Sequence, residues 1–172
     1  MPRLYDAYQD SVDIVLHIGV APSQQHYSLE RSAHRDGYDQ HGDIDDKTLD
    51  GDDGSRYWPD SPEVLSTSLD YEAVYDAWRS NLLRTPEVSP ELDGVVVRRS
   101  EDAGHFICDF IYYSMLAEYH KRRAKSKHIM EQRPVIFLHV PGQSAPADVR
   151  RGRLVTMALI RSLADCWMPS KE

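Results

Sequence analysis

The sequence predicts an α/β protein, a three-layer α/β/α sandwich around a mostly parallel sheet. Three observations predict it. First, Asp13-Ile14-Val15-Leu16-His17-Ile18-Gly19-Val20, Gly94-Val95-Val96-Val97 and Pro134-Val135-Ile136-Phe137-Leu138-His139-Val140 contain apolar runs of strand length without alternation. Such runs suit parallel strands buried on both faces. Second, segments of helical periodicity separate the runs, and strand–helix alternation builds a parallel sheet covered by helices. Third, the 41% hydrophobic and 28% charged composition over 172 residues is that of one globular domain with a sizeable core.

Taken in order, residues 3–10 read as the last turns of a helix ahead of the first strand. Ser28-Leu29-Glu30-Arg31 reads as a short second strand. From Asp36 to Asp60 there are nine aspartates and several glycines with no periodicity. Their order does not match the ligand positions of an EF-hand. The stretch 36–62 is therefore expected to be an acidic surface loop inserted into a single domain spanning 1–172. Asp70 can cap a helix reaching about Leu83, with Val74, Ala77, Trp78 and Leu82 on one face. A second helix is expected from near Ala103 past Tyr119. Its first turns, with Phe106, Ile107, Phe110, Ile111, Tyr112 and Met115, are apolar nearly all round and predict deep burial. The basic run from His120 to His128 suits that helix's solvated C-terminal end, where cations complement the dipole. A third helix starts after Asp148, with Val149, Leu159, Ile160, Leu163 and Trp167 as its apolar stripe and Pro146 just before it. No internal repeat is visible.

Charge and composition exclude several function classes. A net charge of −8 and an isoelectric point near 5.4 argue against nucleic acid as a partner. No apolar stretch approaches the roughly 18 residues of a membrane span, and the N-terminus lacks a signal-peptide core. Two cysteines make no disulfide framework, so a reducing, cytoplasmic setting with an available thiol is expected.

Three residues stand out as carriers of chemistry. Cys108 follows a short polar loop and falls within about two turns of a helix start. Unpaired amides and the helix dipole there favour a thiolate, and the same amides can donate to an oxyanion. The competing reading is a buried structural cysteine. His139 closes a buried strand, where α/β sheets collect ligands; it is a general-base candidate for a Cys-His pair, or else a core histidine with satisfied nitrogens. Glu30 can orient an imidazole, although a lone glutamate is ordinarily solvent-facing. His17, His26, His34, His41 and His105 are scattered without metal-ligand spacing, and Cys166 has no neighbouring Cys or His, so no metal site is expected. Neither a Gly-rich phosphate loop nor a G-x-S-x-G elbow occurs.

Three segments together point to a family. Ser100-Glu101-Asp102-Ala103-Gly104-His105-Phe106-Ile107-Cys108-Asp109-Phe110-Ile111-Tyr112-Tyr113 closely resembles the cysteine motif of pyroglutamyl peptidase I, also called pyrrolidone-carboxylate peptidase. Phe137-Leu138-His139-Val140-Pro141 resembles that family's histidine strand. Ile18-Gly19-Val20-Ala21, Tyr27-Ser28-Leu29-Glu30-Arg31 and His34-Arg35-Asp36-Gly37-Tyr38 resemble its glutamate region. The resemblance extends from about Pro2 to Trp167, with the acidic loop as its divergent part, and is closest to fungal members. It implies an α/β/α fold and a cytosolic cysteine exopeptidase that removes N-terminal pyroglutamate from peptides. In that scheme Cys108 is the nucleophile, His139 the general base and Glu30 its orienting partner, with no metal or organic cofactor.

The sequence also departs from the family pattern. Members open with a strand ending in a Gly-Phe-Gly-Pro-Phe loop whose aromatic residues enclose the pyroglutamyl ring. Gly-Phe-Gly is nowhere present here, and the three phenylalanines are Phe106, Phe110 and Phe137. The expectation is an N-terminally truncated member. The alternative to an active peptidase is then a catalytically silent homologue, or an interaction module that retains the fold.

Overall fold

The structure is a computed structural model that describes residues 12–40, 42, 45–48, 53–84, 90–123 and 134–167. The helix expected over residues 3–10, parts of the acidic loop and most of the basic run lie outside the described residues. The order of elements is β1 (Val15–Ala21), β2 (Tyr27–Glu30), β3 (Ser32–His34), α1 (Asp53–Tyr57), β4 (Val64–Ser66), α2 (Tyr71–Arg84), a 3-10 turn (Pro90–Leu92), β5 (Val97–Ser100), α3 (Ile107–Arg123), β6 (Val135–Pro141) and α4 (Pro146–Trp167). Four strands form a mixed, mostly parallel sheet in the order β1-β6-β2-β5, so the α/β class expected from the sequence is the one found. The chain divides into two compact units, and the division falls within each of these four strands.

The first unit comprises residues 1–17, 30–68 and 100–137. Its core is one face of α3, where Tyr112, Tyr113 and Leu116 are fully buried and pack with Ala33, Leu65, Val135 and Phe137. An antiparallel pair that the sequence did not reveal, β3 with β4, matches Ser32 to Ser66 and His34 to Val64. The Ser32 and Ser66 hydroxyls meet at 2.9 Å, so the buried Ser32 hydroxyl is satisfied by the half-buried Ser66. Trp58, just after α1, sets its ring 5.0 Å from that of Tyr113 and 5.5 Å from that of Phe110. Tyr38, near the start of the acidic stretch, likewise sets its ring 5.4 Å from that of Phe110, so aromatic side chains anchor the stretch at two points, and it contains a short helix rather than loop alone.

The second unit comprises residues 18–29, 69–99 and 138–172. Here α2 packs on α4. Asp70 caps α2 as expected, its carboxylate accepting from the Ala73 amide at 3.1 Å. Trp78 is fully buried and donates its indole N–H to the Val155 carbonyl at 3.0 Å. Asn81 donates to the Ser162 hydroxyl at 2.8 Å. The Tyr71 and Tyr75 hydroxyls reach the Leu29 and Val97 carbonyls. Arg99 spans Glu72 and Asp76 with its guanidinium 4.0 Å over the Tyr75 ring.

Several expected boundaries move, each for a local reason. The strand placed at Gly94–Val97 begins at Val97, because the chain turns over Asp93-Gly94 with Gly94 at φ +69° and the Val95 amide bonded to Leu92. The helix placed from Ala103 begins at Ile107. Asp102 takes the Gly104 amide at 2.8 Å, and Gly104 sits at φ +90°, which together hold the preceding residues as a loop. Its first turn is also less buried than expected, with Phe106 and Ile107 half-exposed. In α4, which starts at Pro146, the buried stripe is Val155, Ala158, Leu159, Ser162 and Leu163, whereas Val149 and Ile160 are exposed. Of the three apolar runs, only β6 is buried along most of its length. β1, at an edge of the sheet, exposes Ile18 and Val20.

Two expectations for stability follow. Truncating Trp78 to Ala removes the largest buried side chain of the second unit and is expected to cost about 3–5 kcal/mol in denaturant unfolding. His17 lies edge-on to Phe137 at 5.9 Å and Tyr112 at 6.3 Å, and burial lowers its pKa from 6.5 to about 4. Between those two pH values the unfolded chain binds the proton that the folded chain refuses. Stability therefore falls as the pH drops from about 6.5 towards 4, by at most ~3 kcal/mol from this group. Urea unfolding of His17→Leu at pH 7.5 and 4.5 is expected to show a smaller loss than the parent; an equal loss refutes the assignment.

Candidate active site

Cys108 is the second residue of α3 and is partly buried against the core of the first unit. The Phe110 amide bonds to the Phe106 carbonyl at 3.0 Å, so Phe106 is the last residue before the helix proper. The amides of Ile107, Cys108 and Asp109 then belong to the first turn, whose N–H groups have no partner within the helix. A sulfur anion or an oxyanion beside Cys108 finds donors there.

Asp109, next along, is the residue that holds this helix start in place. It is fully buried. Its carboxylate accepts from the His34 amide at 3.1 and 3.3 Å and from the Tyr38 hydroxyl at 2.7 Å. Tyr38 also bonds to the His34 carbonyl. Burial pushes the Asp109 carboxyl up to about 6, while the Tyr38 hydrogen bond and the neighbouring His34 pull it back down. One sign of this residue was available in the sequence, since it is a carboxylate in the middle of the apolar stretch Phe106 to Met115.

Glu30 ends β2, an interior strand of the sheet whose four residues are all buried; Glu30 itself is 1% exposed, the reverse of the ordinary expectation for a lone glutamate. Tyr112 stands four residues after Cys108, on the same face of α3. Its hydroxyl lies 3.1 Å from the Glu30 carbonyl and 3.2 Å from that of Arg31. Cys108 and Glu30 therefore belong to one unit and are tied to it through one tyrosine. His139, on β6, is 6% exposed and belongs to the second unit. All three candidates stand on or beside regular elements, and both polar strand residues are buried.

Other groups are easily placed. Cys166, in α4, is partly buried, and burial followed by the Asp165 and Asp70 charges pushes its thiol up. A surface pocket of about 770 Å³ in the second unit is lined by Ile18, Val20, Tyr27, Val140, Arg151 and Met157 among others, and by none of the three candidates. The histidines that look scattered in the sequence are not all scattered in space: His34 and His105 come together with Asp109. Among the described residues no helix is long and apolar enough to cross a membrane.

No protein-family model matches the chain. Individual proteins do. Human pyroglutamyl-peptidase 1 is 27% identical over 96% of the chain, and the mouse protein of that name 28% identical over 95%. The chain spans 66% and 65% of the lengths of these curated relatives. Two solved structures share the fold. The pyrrolidone carboxyl peptidase of Thermus thermophilus has a TM-score of 0.61 at 24% identity, covering 92% of this chain and 74% of that one. The pyroglutamyl peptidase I of Bacillus amyloliquefaciens has a TM-score of 0.66 at 18% identity, covering 97% and 72%. The three motifs are thus carried on a chain that is similar, over nearly its whole length, to pyroglutamyl peptidases and shares their fold.

Proposed function

We propose that the chain is a cysteine exopeptidase that removes N-terminal pyroglutamate from peptides. The observation that carries this reading is the position of Cys108 at the first turn of α3, within a chain similar over 96% of its length to a pyroglutamyl-peptidase. In the proposed reaction His139 takes the Cys108 proton, and the sulfur attacks the carbonyl that links the lactam to the next residue. The first-turn amides of α3 receive the oxyanion. The C–N bond breaks as His139 returns the proton to the leaving amine, leaving a thioester on Cys108. Water, deprotonated by His139, then releases pyroglutamate and restores the thiol. Glu30 holds the imidazole in its working tautomer and stabilises its charged form. The reaction requires no metal or organic cofactor, and the thiol requires a reducing compartment such as the cytoplasm.

Release of the fluorophore from a pyroglutamyl-coumarin amide is the direct assay. Cys108→Ser and His139→Ala are each expected to abolish release, and Glu30→Gln to lower it by about 10²–10⁴-fold. No release from a parent chain shown by circular dichroism to be folded leaves a catalytically silent homologue. Full activity in Cys108→Ser overturns the mechanism.

Alkylation gives a test independent of substrate. Near neutral pH, iodoacetamide followed by peptide mapping should label Cys108 about tenfold or more faster than Cys166. Equal rates count against a nucleophile poised at the helix start.

A further inference from the structure

We propose that His34, His105 and Asp109 form a binding site for a divalent transition-metal ion of the zinc class, at the start of α3. A ring nitrogen from each histidine and a carboxylate oxygen of Asp109 lie within 4.8 Å of one another. Two imidazoles and a carboxylate are ligands of the type that zinc takes. The separations favour a metal over a hydrogen bond. His34 Nδ1 is buried, has no hydrogen-bond partner, and stands 3.4 Å from Asp109 Oδ2. That is too long for an ordinary N–H···O bond. It is close to the roughly 3.3 Å that separates two ligand atoms around a tetrahedral ion with bonds of about 2.05 Å.

The surroundings orient the ligands as metal sites require. The His34 amide and the Tyr38 hydroxyl fix the Asp109 carboxylate. The Asp36 carbonyl lies 3.2 Å from His105 Nδ1, and the His105 ring centroid is 4.7 Å from that of His34. Gly37, at φ +99°, leaves the room that this ring occupies, since a Cβ there would stand 2.7 Å from His105 Nδ1. Asp102 Oδ1, 3.7 Å from His34 Nδ1, is within reach as a fourth ligand. His105 is exposed and lies in the loop before the helix, so it can close the longest of the separations by a modest shift. An ion held there ties β3, that loop and the first turn of α3 together. The proposal does not depend on peptidase activity.

The test uses the full chain carrying Cys108→Ser, which removes the neighbouring thiol as a competing ligand. The stripped protein is titrated with zinc against a chromophoric chelator and melted with and without zinc. One equivalent is expected to bind and to raise the melting temperature. Adding His105→Ala, a change at an exposed loop position, should weaken binding about tenfold or more and abolish the stabilisation. Cobalt in place of zinc should give the intense visible bands of a tetrahedral site in the first protein and not in the second. Absence of zinc binding, or binding unchanged by His105→Ala, overturns the site and leaves His34 and Asp109 as packed neighbours only. Either result leaves the peptidase assay unaffected as a separate question.

Discussion

The first unit depends on one buried carboxylate. Taking the Asp109 side chain out of water costs several kcal/mol unless donors replace the solvent. The His34 amide and the Tyr38 hydroxyl do so, and both come from the segment that follows β2. The segment from His34 to Tyr38 and the first turn of α3 are thus positioned by the same charge. Cys108 sits immediately before it in the chain. The depth at which the thiol sits, and the direction of the first-turn amides, follow from where Asp109 must go to be satisfied.

Tyr112 extends that constraint by one turn. Its fully buried ring packs in the apolar core, and its hydroxyl reaches the carbonyls of Glu30 and Arg31, where the chain leaves β2 for β3. Arg31 bonds further through its amide to Ser100 and through its carbonyl to Thr67. Such a junction between two strands that belong to different sheets leaves backbone groups that no single ladder can satisfy. A tyrosine supplies a donor from inside the core without sacrificing apolar area. Glu30 is buried because its strand is interior, and its place is held by the helix that carries Cys108.

Much of this was legible in the sequence, to differing depths. The run ending in His139 has five consecutive buried residues, as an unbroken apolar segment implies. The similar run in β1 has exposed Ile18 and Val20, because apolar content records an ability to be buried and not the number of faces actually covered. β2 was harder to see, since Tyr-Ser-Leu-Glu has little apolar character and is buried by its interior position in the sheet. β5 and α3 start later than the side-chain pattern implies, because backbone turns at Gly94 and Gly104 interrupt an otherwise continuous pattern. Side-chain periodicity carries no direct information about those turns.

Sites differ in the same way as elements. Cys108 and His139 could be read locally, since a helix start and a strand end are visible in a single segment. The His34, His105 and Asp109 cluster could not. Asp109 is four residues from His105 but 75 from His34, and nothing in that spacing resembles a short-range metal motif. They meet because β3 and the loop before α3 both close on the buried carboxylate, which makes the cluster a product of the fold rather than of any motif. Relatives that keep Cys108 and the buried carboxylate but lack a histidine at 105 would retain the packing around α3 without this ligand set. The cluster is therefore separable, in principle and by mutation, from the chemistry proposed for Cys108, one residue from Asp109 in the chain.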